Sequence, residues 1–274
     1  MSEQLVIPTL SGTFDALAAG PDDGRPVLLL HGFPECAQQW EHQLAALGAA
    51  GFRGVAFDQR GYSPGIRPAE VDAYAPDELV GDVLRVADAL GWPRFDLVGH
   101  DWGSAVAWMV AAAHPDRLRS LTAVSTPHSA AFSAALRGDT DQQKRSEYFR
   151  LFRTPGEAER ELLDGGGLRR FYEGLPADQV ERYVKRFAEP GALTAALNWY
   201  RAMRRPAKSG PITTPTLYVW STGDAYIGET AARDVERHVD GPYRFEVLSG
   251  VSHWITEEAP ERFSALLLDH LAAS

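Results

Sequence analysis

The 274-residue chain has a single cysteine and no apolar run of membrane-spanning length. Cys36 alone has no partner for an internal disulfide, which fits a reducing compartment. Basic runs are also missing. Arg169-Arg170 and Arg204-Arg205 are isolated pairs, and a formal net charge of −10 disfavours a nucleic-acid partner. The opening Met1-Ser2-Glu3-Gln4 lacks the basic segment and apolar core of a secretion signal, so a cytoplasmic location without membrane insertion is expected. No cluster of His, Asp or Glu has metal-ligand spacing and no glycine-rich phosphate loop is present, so neither a metal nor a cofactor is expected. Repeats and low-complexity segments are absent as well.

What remains is enough apolar residue, 45%, to bury a large core. Short apolar runs alternate with helical patterns. Pro26–Leu30 precedes a helical stretch over 38–50, Val55–Phe57 one over 76–90, and Phe95–Val98 one over 104–113; Leu121–Val124 follows. Such alternation predicts βαβ units and a mainly parallel sheet covered on both faces. From about Pro127 to Gly210 the strands stop and only amphipathic helical segments appear, with Gly165-Gly166-Gly167 read as a loop. The pattern resumes at Thr216–Trp220 and Tyr243–Leu248 and closes with a helix over 260–272. Residues 1–126 and 211–274 are therefore read as an α/β core. Residues 127–210 are read as a helical cap over the carboxyl ends of the strands, where open α/β sheets place their ligands.

The centre of that pattern is Gly99-His100-Asp101-Trp102-Gly103, a strand-to-helix elbow with a carboxylate at its apex. Asp could simply cap the helix. An ionised carboxylate held there is also a nucleophile that needs no base to deprotonate it. It can displace a leaving group from saturated carbon and form an ester that water must then hydrolyse. Three supports follow along the chain. Asp224, directly after a strand in Ser221-Thr222-Gly223-Asp224, and His253, on a polar loop before the last helix, supply the order nucleophile, acid, histidine. His31-Gly32-Phe33-Pro34 follows the first strongly apolar strand. The backbone N–H groups of Phe33 and Trp102 are the candidate oxyanion hole, needed when water attacks the ester carbonyl.

These residues resemble the α/β-hydrolase superfamily, specifically its epoxide hydrolase branch. The resemblance runs from His31-Gly32-Phe33-Pro34-Glu35 through Asp58-Gln59-Arg60-Gly61-Tyr62-Ser63 and the elbow to His253. It implies an α/β-hydrolase fold, an eight-stranded, mostly parallel sheet flanked by helices with an inserted helical cap. It also implies two cap tyrosines that protonate the epoxide oxygen, matched by Tyr148 in Glu147-Tyr148-Phe149-Arg150 and Tyr200 in Asn198-Trp199-Tyr200-Arg201. An alkoxide leaves poorly unless an O–H donates to it. Pro34, Trp102, Trp199 and Trp254, beside these motifs, are expected to face a small apolar epoxide; a homodimer is compatible with the resemblance.

Related chemistries are distinguished by single positions. Haloalkane dehalogenases share the Asp nucleophile and the following Trp but often carry a halide-binding Asn where this chain has Phe33. Fluoroacetate dehalogenases usually follow the nucleophile with Arg. A ligand-binding relative with little turnover is the reading from a different class. Of the remaining polar residues, Ser104 reads as packing, Cys36 as a small buried thiol, Asp58 and Arg60 as an ion pair or loop clamp, and His100 as the maker of a hydrogen bond beneath the sheet.

Overall fold

The computed structural model of the chain describes residues 2–172, 174–203 and 210–274; Arg204-Arg205 lies outside the described residues. Eight strands form one sheet: β1 (Glu3–Thr9), β2 (Gly12–Ala19), β3 (Arg25–Leu30), β4 (Phe52–Phe57), β5 (Phe95–His100), β6 (Leu118–Val124), β7 (Thr216–Ser221) and β8 (Tyr243–Leu248). Their spatial order is β1-β2-β4-β3-β5-β6-β7-β8. β1 pairs antiparallel with β2, and β2 with β4; every other pairing is parallel. This is the α/β-hydrolase architecture that the resemblance implies. The apolar runs are strands because both sheet faces are covered. Along β3 the side chains alternate: Leu28 and Leu30 pack with Phe57, Leu97 and Trp108 on one face, Val27 and Leu29 with Trp40, Leu44 and Phe263 on the other.

The helices fall close to their expected places. A short 3-10 turn, Ala37–Trp40, leads into Glu41–Ala49, and Pro76–Ala89 starts on a proline followed by Asp77 and Glu78. Proline and acidic residues both suit a helix N-terminus. Trp102–Ala113 follows the elbow, and Pro260–Ala273 closes the chain. Among the described residues, the segment from Pro127 to Gly210 holds helices and no strand, including Ser129–Gly138, Tyr148–Phe152, Gly167–Phe171, Ala177–Phe187 and Ala192–Ala202. Gly167 is buried at the start of its helix, so the loop expected over Gly165–Gly167 is shorter than predicted. No helix among the described residues is long and apolar enough to cross a membrane.

Asp58 and Arg60 do not pair with each other. Asp58 accepts from the Ala37 N–H at 2.8 Å and pairs with Arg186 of the helical insertion. Arg60 pairs instead with Asp82 at 2.6 Å and Glu78 at 3.3 Å. Both are clamps with separate partners: Asp58 fastens the loop after β3 and the helical insertion, and Arg60 fastens the helix Pro76–Ala89.

The elbow is sterically tight. Asp101 has φ 51° and ψ −117°, and a Cβ on Gly103 would lie 2.1 Å from the Leu30 carbonyl oxygen of β3. That neighbour is backbone and cannot swing away. Gly138, at the end of its helix, has nothing within 4 Å of a built Cβ. Gly103→Ala should therefore destabilise the fold by about 1–3 kcal/mol or more. Gly138→Ala should be neutral or stabilising by about 0.5–1 kcal/mol. Urea denaturation of the two variants checks the contrast, and equal effects would contradict it.

Candidate active site

Every group singled out from the sequence as catalytic, apart from the tyrosines, sits at the carboxyl end of a strand. Asp101 follows β5, Phe33 follows β3, Asp224 follows β7 and His253 follows β8. The elbow turns Asp101 toward the loop after β3, where its Oδ1 accepts the Phe33 N–H at 2.8 Å. Gly32 is what lets the two meet, since a Cβ there would lie 2.4 Å from Asp101 Cβ. Trp102 is the first residue of the following helix, so its N–H has no intrahelical acceptor and is available at the same end.

His253 lies between two carboxylates. Its Nδ1 is 2.9 Å from Asp224 Oδ2, and its Nε2 is 3.6 Å from Asp101 Oδ2. The other Asp224 oxygen accepts the N–H groups of Tyr226 at 2.8 Å and Ile227 at 3.0 Å. Burial works against charge on Asp224, but the charge and hydrogen bond of His253 and these two N–H groups hold its carboxyl below its ordinary value. Burial likewise disfavours charge on His253, yet Asp224 and Asp101 outweigh it and raise the imidazole from 6.5 to about 10. The two carboxylates thus favour the protonated imidazole.

The tyrosines come from the helical insertion. Tyr148 opens Tyr148–Phe152, and Tyr200 lies in Ala192–Ala202. Both line the same two cavities as Asp101, and their hydroxyls are in hydrogen-bonding contact. Burial, reinforced by the Asp101 charge, pushes both phenols well above their ordinary value, so they stay protonated donors. Trp102 lines the larger cavity and Trp254 the smaller. Trp199 and Pro34 line neither. Trp199 is buried behind Trp102, ring centroids 5.7 Å apart, with its indole N–H on the Arg60 carbonyl at 2.9 Å. Pro34, after a cis Phe33–Pro34 bond, has its carbonyl held by the Tyr172 hydroxyl. The expectation that these two face substrate is corrected: both fasten the wall behind it.

Ser104, Cys36 and His100 take the structural parts expected of them. Ser104 donates to the Thr126 carbonyl at 2.7 Å, and Cys36 is buried. His100 lies under the sheet, with Nε2 3.0 Å from the His253 carbonyl. Among the described residues no group of three or more His, Cys, Asp or Glu is placed to hold a metal.

Residues 25–260 match the alpha/beta hydrolase fold family. The chain belongs to the α/β-hydrolase family. The AB hydrolase superfamily protein YfhM of Bacillus subtilis is 34% identical to it, over 94% of each chain. Epoxide hydrolase A of Mycobacterium tuberculosis is 33% identical, over 91% of each. A solved structure described as one of the novel epoxide hydrolases from metagenomes of hot environments superposes with a TM-score of 0.90 at 30% identity, covering 100% of both chains.

Beneath the site this hydrolase carries a polar cluster that the sequence did not signal. Gln39 accepts the Gly32 N–H at 3.0 Å, donates to Thr256 at 3.2 Å and lies 3.1 Å from His100 Nδ1. It thereby ties the oxyanion loop to the elbow strand and to the helix after His253. Glu35 Oε2 faces His100 Nδ1 at 2.9 Å, and the Glu35 and Glu257 carboxyls are in hydrogen-bonding contact. Glu35 Oε1 and Glu257 Oε2 are buried without any donor. Two acceptors in contact require a hydrogen between them. Burial raises Glu35 from 4.5 to about 7 and Glu257 well above its ordinary range, so the pair retains a proton. The Tyr183 hydroxyl holds the outer Glu257 oxygen at 2.6 Å.

Carboxyls raised in the folded state contribute stability that is full below their unfolded value and lost as pH rises through the folded one. The window here runs from 4.5 through about 7. Glu257→Gln offers Glu35 an amide N–H in place of that proton. The wild type should lose melting temperature across the window more steeply than the variant; parallel pH profiles would show that no proton is shared.

Proposed function

We propose that this chain is an epoxide hydrolase that opens an epoxide to a vicinal diol through an ester on Asp101. The observation that carries the reading is the placement of Tyr148 and Tyr200 over the same cavities as Asp101, with His253 between Asp101 and Asp224. The names of its relatives support it. In this reading residues 127–210 act as the cap. Every group named comes from one chain, so the chemistry does not depend on the homodimer that the sequence allows. The lone buried cysteine fits the cytoplasmic location expected from the sequence.

The protons balance in two steps. The Asp101 carboxylate attacks a ring carbon, the carbon–oxygen bond breaks, and a tyrosine hydroxyl protonates the departing oxygen. Esterification cancels the Asp101 charge that helped hold the extra proton on His253. That proton can then restore the tyrosinate, which leaves His253 neutral and able to act as a base. Neutral His253, oriented by Asp224, takes a proton from water, and the hydroxide attacks the ester carbonyl. The N–H groups of Phe33 and Trp102 stabilise the oxyanion, each such donor being worth roughly 2.7–4 kcal/mol of barrier. The intermediate collapses by breaking the acyl carbon–oxygen bond. The departing oxygen, which belonged to Asp101, takes the proton of the newly added hydroxyl. The diol leaves, with Asp101 again a carboxylate and His253 again protonated.

His253→Gln should open the epoxide and then stall, because alkylation needs no base and hydrolysis does. Intact-mass measurement after adding styrene oxide should show an adduct of substrate mass on the folded variant. A folded variant that turns over without accumulating the adduct would remove the histidine from the second step.

The tyrosines separate epoxide from halide chemistry, since a carbon–halogen bond needs no proton at the leaving group. Tyr200→Phe should slow alkylation by roughly 10²–10⁴-fold. The double variant with Tyr148→Phe should abolish it, each change removing one oxygen atom. Ring opening at the parental rate in the folded double variant, or halide release outpacing diol formation in the parent, would favour the dehalogenase.

A further inference from the structure

The space on the two sides of Asp101 is unequal. On one side a cavity of about 280 Å³ runs from Asp101 and Trp102 past Met109 and Phe132 to Leu136 and Met203. It lies near the lower end of the roughly 300–1,000 Å³ usual for ligand sites. On the other side, between Phe33, Phe152, Phe171, His253 and Trp254, only about 10 Å³ is free. That is about what one water needs and too little for a carbon chain. The closed side is walled by packed rings, with Phe33–Phe152 centroids 5.3 Å apart and Phe152–Phe171 5.5 Å apart. Tyr148, Tyr200 and Asp101 border both spaces, so a reacting ring held by them sits at the boundary.

We propose that the substrate is a terminal epoxide bearing one apolar arm, an aryl or short alkyl group, which lies in the larger cavity. The inference rests on the epoxide hydrolase reading above. An oxirane with substituents on both carbons in the trans arrangement sends its arms to opposite sides of the ring, and this site has room on one side alone. The niche also has a second demand on it. His253 lines the small space and not the large one, so the water it activates must enter there. A second arm would take the place of that water. Met109 and Met203 in the wall of the open side are flexible and polarisable, suited to arms of differing shape. The unsubstituted ring carbon, facing the closed side, is the one that Asp101 reaches without steric opposition.

Diol formation by the wild type on styrene oxide, epoxyhexane, trans-stilbene oxide and a mid-chain epoxy fatty acid tests this directly. The two terminal epoxides should exceed the two disubstituted ones in kcat/KM by roughly 100-fold or more, the scale on which a misfitting apolar group is rejected. Leu136→Trp, which fills the open side away from the catalytic groups, should cut kcat/KM for styrene oxide at least about tenfold. Phe171→Ala should admit trans-stilbene oxide. Wild-type turnover of trans-stilbene oxide or the fatty epoxide at the rate of styrene oxide would overturn the one-arm assignment and leave the epoxide hydrolase reading standing. Absence of diol from all four would overturn both.

Discussion

The site depends on one steric constraint: the approach of three backbone segments at the elbow to distances that no Cβ could share. The chain turns from β5 into its helix with Asp101 at positive φ, and the helix start passes so close to β3 that Gly103 faces the Leu30 carbonyl. Gly32 makes the reciprocal concession on the next loop. Because Gly103 meets backbone and Gly32 meets the Asp101 side chain itself, the Asp101 carboxylate and the Phe33 N–H are set relative to each other by the sheet. Thermal motion of long side chains does not blur them, which is the condition for preorganised electrostatics. Asp224 and His253 are then added from the ends of β7 and β8, Asp224 bonding His253 at 2.9 Å and His253 lying 3.6 Å from Asp101.

Charge in the site is held by mutual compensation. Buried ionised groups are costly unless paired, and here two carboxylates favour charge on the imidazole between them while two further carboxyls beneath it retain a proton. In the proposed mechanism, esterification of Asp101 would remove one of those two charges and make His253 the better base at the step that needs one.

Much of this was legible in the sequence, and the reasons it was legible are physical. Strands buried on both faces write themselves as apolar runs, and the elbow writes itself in glycines. The N-terminal hairpin β1–β2 escaped the direct reading because an edge strand with exposed residues carries no such run: Glu3, Gln4 and Val6 are all exposed. Trp199 was placed beside Tyr200 in expectation, but neighbours on a helix point about 100° apart, so one lines the cavity and the other backs Trp102. Gln39, Glu35 and Glu257 join positions as far apart as 39 and 256, and no spacing rule connects residues brought together only by the fold. Asp58 and Arg60 were open to a mutual pair or a clamp, and each clamps a different element, because the partners Arg186 and Asp82 are brought to them only by the fold.

The helical insertion is fastened to the core on more than one flank. Tyr172 holds the Pro34 carbonyl, Tyr183 holds Glu257 and Arg186 holds Asp58, all with partners buried next to the oxyanion loop and the His253 helix. At the other flank Gln142 donates to the Tyr226 carbonyl at 2.8 Å and accepts the Gly228 N–H at 2.9 Å, and Arg145 donates to the Asp224 carbonyl at 2.5 Å. Arg153 bonds the Tyr200 carbonyl at 3.0 Å and the Met203 carbonyl at 3.1 Å, joining the insertion to itself. The tyrosines of the insertion are thus braced from the Glu257 side and from the Asp224 side alike, so their position over Asp101 is held by core loops on both sides.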